Sequence, residues 1–182
     1  MLRYLKLMLQ LLMAPSRGWE DVAESAVDSR RTLLRGLVPL AALAALTCFL
    51  GALYQLHPSF SALLIDAIVT FVKYTLTYFV AVAMLVYALP RLTADGLVNR
   101  ERVELFCAFC VGMLAIIGIL EHLLPMELTL LQFLPIYVIV VMAMGRKFVD
   151  VGEENIFRFA GVATLSVILP VYLIDWLLGQ AI

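Results

Sequence analysis

The sequence predicts an all-α integral membrane protein with five transmembrane helices, and three observations carry that fold class. The 182 residues are 64% hydrophobic and 15% charged, with a mean hydropathy of +1.01, whereas soluble domains are about 45–50% apolar and about 25% charged. Five apolar stretches, at 36–56, 62–90, 103–124, 127–145 and 156–179, match the roughly 20 residues that a helix needs to cross a hydrocarbon core. Of the 13 Lys and Arg residues, all but Lys73 fall before the first stretch or at alternate gaps thereafter. The apolar runs are continuous and do not alternate, which excludes a β-barrel.

The cations also set an orientation. Arg3, Lys6, Arg17, Arg30, Arg31 and Arg35 precede the first span; Arg91, Arg100 and Arg102 separate the second from the third; Arg146, Lys147 and Arg158 surround the start of the fifth. The other two gaps and the C-terminal tail carry none. Cationic segments resist translocation, so the N-terminus is expected in the cytoplasm and the C-terminus outside. The gaps are too short for a soluble domain. Residues 1–35 therefore read as a cytoplasmic or interfacial segment, and 36–182 as one five-helix domain.

The first element imitates a signal peptide, with Arg3 and Lys6 ahead of Leu7–Met13. Gln10 interrupts that short apolar core, and Leu-Leu-Met-Ala-Pro-Ser is a poor cleavage site. An interfacial helix is the better reading. Arg3, Lys6 and Gln10 share a face turned toward anionic lipid, and Leu2, Leu5, Leu9 and Met13, with Met8 and Leu12, cover the rest. The alternative is a helix packed on the protein's own cytoplasmic face. Pro15 is expected to end this helix, with Ser16 capping the next.

Residues 16–35 form a second amphipathic segment. Trp19, Val22, Ala23, Ala26 and Val27 lie on one side, and Glu20, Asp21, Glu24 and Asp28 on the other. Trp19 is expected at the water–lipid boundary, where an amphipathic ring is at home. Together with Arg3, Lys6, Arg30, Arg31 and Arg35 it would anchor the segment to the membrane surface.

Within the spans, Ala41/Ala45, Ala108/Gly112 and Ala160/Thr164 are small residues four apart, a spacing that lets helices approach closely. Pro39, Pro135 and Pro170 predict kinks or lost backbone pairing. Cys48, Cys107 and Cys110 read as packing residues, because Cys-Ala-Phe-Cys has no second ligand pair beside it.

The runs Ala14-Pro15-Ser16-Arg17-Gly18-Trp19-Glu20-Asp21-Val22 and Gly36-Leu37-Val38-Pro39-Leu40-Ala41-Ala42-Leu43-Ala44-Ala45 resemble bacterial members of the YIP family, the Ypt-interacting proteins. The resemblance covers nearly the whole chain. It implies a cytoplasmic N-terminal segment, five spans and a short outer tail, in a multi-pass protein of the bacterial inner membrane. Eukaryotic members are associated with Rab-type GTPases and vesicle traffic. This chain has no long soluble N-terminal region, a departure that argues against GTPase binding.

Charge inside a span is costly and often functional. Asp66 lies a turn inside the second span, Glu121 and His122 end the third, Glu127 begins the fourth and Asp175 lies near the outer end of the fifth. These acids converge on the outer third of the bundle, where no loop cation neutralises them. Lys73 lies roughly 16 Å along its helix. Seven residues after Asp66, it shares that residue's face and leans toward it. An Asp66–Lys73 pair is the expected contact, and Asp175 is the second candidate partner. A cation site of Asp66, Glu121, His122 and Asp175 is chemically conceivable, although no ligand spacing specifies one.

No nucleophile triad, phosphate-binding glycine loop or zinc motif is present. The sequence therefore points to a non-enzymatic YIP-type protein, without cofactor or nucleic-acid partner, that organises the bilayer, its own copies or other membrane proteins. The alternative is a small ion or solute transporter with Lys73, Asp66 and Asp175 in its pathway.

Overall fold

The computed structural model describes residues 1–25, 27–51, 59–93, 96–124 and 133–179. All regular structure among them is helical, apart from one isolated antiparallel bridge between Thr93 and Val151. The helices are α1 (Leu2–Met13), α2 (Pro15–Glu24), α3 (Ser29–Thr32), α4 (Val38–Gly51), α5 (Phe60–Ala88), α6 (Arg100–Leu123), α7 (Leu134–Met144) and α8 (Ile156–Gly179). A π-helical turn, Leu33–Leu37, joins α3 to α4.

Four helices among the described residues are long and apolar enough to cross a membrane: Ser29–Leu50, Phe60–Arg91, Arg100–Leu123 and Glu153–Leu177. They mark a multi-pass membrane protein. The stretch expected to span at 127–145 is described only from 133 onward, where α7 has 11 residues. Ala26, His57, Pro125 and Glu127 lie outside the described residues.

The third long helix, α6, is the hub. Its apolar window is 78% buried, against 44%, 39% and 33% in the other three. It touches α1, α3, α4, α5, α7 and α8. A helix apolar on every side needs such a central position, and Phe106, Phe109, Cys107, Cys110 and Val111 are fully buried on it. Of the small residues four apart, Ala41, Ala45, Ala108 and Gly112 are buried, whereas Ala160 and Thr164 are only half-buried. Asn99 starts α6 by accepting from the N–H groups of Glu101 and Arg102 at 3.1 and 3.3 Å, the usual side-chain cap.

Three expectations about the N-terminal segment are corrected. Pro15 does not terminate an element before a Ser16 cap; it occupies the first turn of α2, where its missing N–H costs nothing. The first spanning helix begins at Ser29, not 36, because the Asp28 carboxylate accepts from the Arg31 N–H at 3.1 Å and caps the chain there. Arg30, Arg31 and Arg35 therefore belong to the opening turns of that helix. The π-helical turn ends two residues before Pro39, whose missing N–H removes a regular i→i−4 bond. Pro135, in contrast, lies in the first turn of α7 and interrupts nothing.

The third correction concerns Trp19. Its indole is 3% exposed, inside the protein. The ring stacks between Phe106 and Phe148, with centroids at 5.1 and 5.2 Å, and Nε1 donates to the Val141 carbonyl at 2.9 Å. Gly145 leaves the room: a Cβ there would lie 2.7 Å from the indole. A Trp in an interior slot and a Trp at a lipid boundary satisfy the same chemistry, an apolar body with one hydrogen-bonded N–H.

Candidate functional site

The helix α1 has two apolar faces. Tyr4, Leu7, Met8 and Leu11 are buried against the bundle, while Leu2, Leu9 and Met13 are 86%, 58% and 85% exposed. Leu2, Lys6, Leu9 and Met13 follow helical spacing down the outward side, and Lys6 is exposed with them. The helix thus packs on the protein, the alternative of the two sequence readings, yet keeps an apolar and basic stripe outward. Tyr4 Oη donates to the Ala108 carbonyl at 2.7 Å, its ring stacking on Phe109. Burial holds the Tyr4 phenol well above its ordinary pKa, with a smaller push from Cys110. Tyr137 on α7 donates to the Leu12 carbonyl at the far end of α1.

Three cations near the loops are paired among the described residues, Arg102 with Asp150 at 2.7 Å, Arg100 with Glu104 at 2.9 Å, and Arg146 with Glu153, whereas Arg91, Lys147 and Arg158 are in no ion pair. Asp150 adopts a left-handed backbone, φ 59°, as the chain turns between α7 and α8. Among the described residues Arg3, Arg31 and Arg35 are in no ion pair. They line a cleft of ≈ 280 Å³ between α1 and the start of the first spanning helix. Arg3 is held by a 2.6 Å bond from Nη2 to the Ser25 carbonyl. Lys6 and Arg30 are exposed.

Inside the spans, Lys73 Nζ meets Asp175 at 3.0 Å and lies 5.1 Å from the Tyr74 ring centroid. The Lys73 side chain is 13% exposed and that of Asp175 45%, so the pair is embedded at one end and open at the other. The expected Asp66–Lys73 contact is absent. Seven residues put about 10 Å of helix rise between those positions, whereas α8 runs directly alongside α5 and brings its carboxylate to Nζ. Asp66 is exposed.

Glu121 is exposed too, and its neighbour His122 meets Thr47 and Cys48. His122 Nδ1 is 3.2 Å from Thr47 Oγ1, and Nε2 is 3.9 Å from Cys48 Sγ, which lies 3.4 Å from Thr70 Oγ1. Thr47 already donates its hydroxyl proton to the Ala44 carbonyl at 2.6 Å. It can therefore only accept from His122, which puts a proton on Nδ1. No cluster of three or more His, Cys, Asp or Glu suited to a metal ion occurs among the described residues; Asp66, Glu121, His122 and Asp175 do not gather into one.

Two groupings escaped the sequence reading. Thr47, Cys48 and Thr70 are unremarkable singly in a span, and only the packing of α4, α5 and α6 assembles them around His122. Arg31 and Arg35 are four apart, a legible spacing, but nothing in the sequence brings Arg3 to them. Compared with family models, with curated proteins and with solved structures, the chain matches none of them.

Proposed function

We propose that this is a non-enzymatic inner-membrane protein of the YIP type, crossing five times with its N-terminus in the cytoplasm. On this reading it holds the bilayer surface, further copies of itself or other membrane proteins in place. The observation that carries it is the double face of α1: Tyr4, Met8 and Leu11 bind it to the bundle, while Leu2, Leu9 and Met13 remain exposed beside Lys6. A helix so held is a fixed docking face, suited to the interface of a bilayer.

The fifth crossing has its own support. The start of α6 lies beside the chain after α7, through the Arg102–Asp150 pair and the Thr93–Val151 bridge. Since α6 carries the chain some 36 Å away at about 1.5 Å per residue, the segment containing α7 returns it. The alternating cations then all fall on one side.

The transporter reading rests on Lys73 and Asp175. Purified protein in sealed liposomes separates the two. The expected result is no flux of protons, sodium or potassium above protein-free vesicles, with partners cross-linking through residues 1–35. Flux that Lys73→Met abolishes would overturn the proposal.

A further inference from the structure

Among the described residues, none of the three arginines lining the cleft, Arg3, Arg31 and Arg35, is in an ion pair. The lining contains one carboxylate, Asp28. That carboxylate is already engaged, accepting from the Arg31 N–H as the cap of α3. Arg31 and Arg35 are four apart in a helical segment, a spacing at which like charges repel. Arg3 is brought toward them from a different helix and fixed by its bond to Ser25. Arg100, Arg102 and Arg146, by contrast, each have a carboxylate partner. Here three arginines line an opening of ≈ 280 Å³.

We infer that this cleft binds the phosphate of an anionic phospholipid headgroup. Guanidinium groups present planar forks that match phosphate oxygens in pairs, with charge-assisted bonds. The three arginines against Asp28 leave an excess of positive charge for one phosphodiester. A free phosphate or phosphorylated metabolite has the same anionic chemistry, but the surroundings favour a lipid. Leu2 and Leu34, sequence neighbours of Arg3 and Arg35, are 86% and 56% exposed. Soluble ligands have no use for such side chains, whereas acyl chains cover them. Arg31 and Arg35 also lie in the opening turns of a helix apolar and long enough to cross the membrane. Arg35 sits within the π-helical turn, a widened backbone that recurs at binding sites. Assignment to the cytoplasmic leaflet rests on the topology proposed above; binding itself does not.

Native mass spectrometry of the full chain in detergent, titrated with phosphatidylglycerol or phosphatidylcholine, tests this. Wild type is expected to bind phosphatidylglycerol about tenfold more tightly than phosphatidylcholine, and Arg31→Gln/Arg35→Gln to lose that preference. Arg17→Gln/Arg158→Gln removes the same charge from exposed positions outside the cleft and is expected to keep it. Arg35→Lys, which retains charge without the fork, is expected to fall between and supplies a second readout should the double variant fold poorly. Equal binding of the two lipids, or equal losses in both double variants, overturns the site. Displacement of phosphatidylglycerol by millimolar inorganic phosphate or glycerol 3-phosphate overturns the lipid as its occupant.

Discussion

Midway along α6, Tyr4 lies against Gly112 and donates to the carbonyl of Ala108 at 2.7 Å; further on, Tyr74 lies against Gly118 and donates to that of Leu114 at 3.3 Å. In both, the carbonyl belongs to the residue four before the glycine, the one that a helix pairs with the glycine's own N–H. Without a Cβ, the glycine admits a phenol to a backbone oxygen that a larger residue would cover. The surroundings differ. The Tyr4 hydroxyl is buried beside Met8 and Phe109, with the ring of Trp19 beyond, while Tyr4 and Phe109 also line the arginine cleft. Around Tyr74 lie Lys73 and the neighbouring Asp175. One level seals the N-terminal helix onto the bundle, and the other admits charge between α5 and α8. The same contact thus serves as a dry clasp in one place and as the wall of a polar layer in the other.

The largest effect should come from the clasp. Trp19→Ala empties the slot between Phe106 and Phe148 and removes the indole bond to the Val141 carbonyl, a loss of about 3–5 kcal/mol for a buried aromatic. Thermal unfolding in detergent checks it, with Trp176→Ala, a residue 59% exposed, as the control. Equal shifts for the two tryptophans would mean that α2 is not part of the cooperative fold.

The same tryptophan shows what the sequence could and could not disclose. Long apolar runs located the spanning helices to within a few residues of Phe60–Arg91 and Arg100–Leu123, because hydrocarbon imposes both length and composition. No local pattern distinguishes an interior slot from an interface, however. The slot is made by Phe106, Val141, Gly145 and Phe148, all more than 80 residues downstream of Trp19. Lys73 is similar: both possible partners could be named, but only the position of α8 chooses Asp175 over Asp66. The start of the first helix was locally encoded in Asp28, and was obscured because the apolar run begins later than the helix.

Next in size are the glycines. In Gly112→Ala the new methyl group collides with the Tyr4 hydroxyl and the Met8 side chain, and in Gly118→Ala with the Tyr74 hydroxyl. Overpacking of this kind costs about 1–3 kcal/mol. Proteolysis of residues 1–28 should accelerate in Gly112→Ala and stay at the wild-type rate in Gly118→Ala. Equal acceleration would show the two levels to be coupled and would dissolve the distinction between clasp and layer.

The smallest effect is the sharpest. Tyr4→Phe keeps the stacking on Phe109 and removes only the bond to Ala108, worth about 1 kcal/mol net. Tyr74→Phe removes the longer bond and should cost less. The pH dependence separates them from generic loosening. The folded state holds the Tyr4 phenol neutral and well above its ordinary pKa, so the stability this provides is complete below about pH 10, the value for an unfolded tyrosine. It is lost as pH rises beyond that, because the unfolded chain then releases a proton that the folded one retains. Tyr4→Phe should therefore unfold at a slightly lower temperature than wild type at neutral pH and decline less steeply between pH 9 and pH 11. A parallel decline in both proteins would place the phenol in contact with water, and the clasp would not be dry.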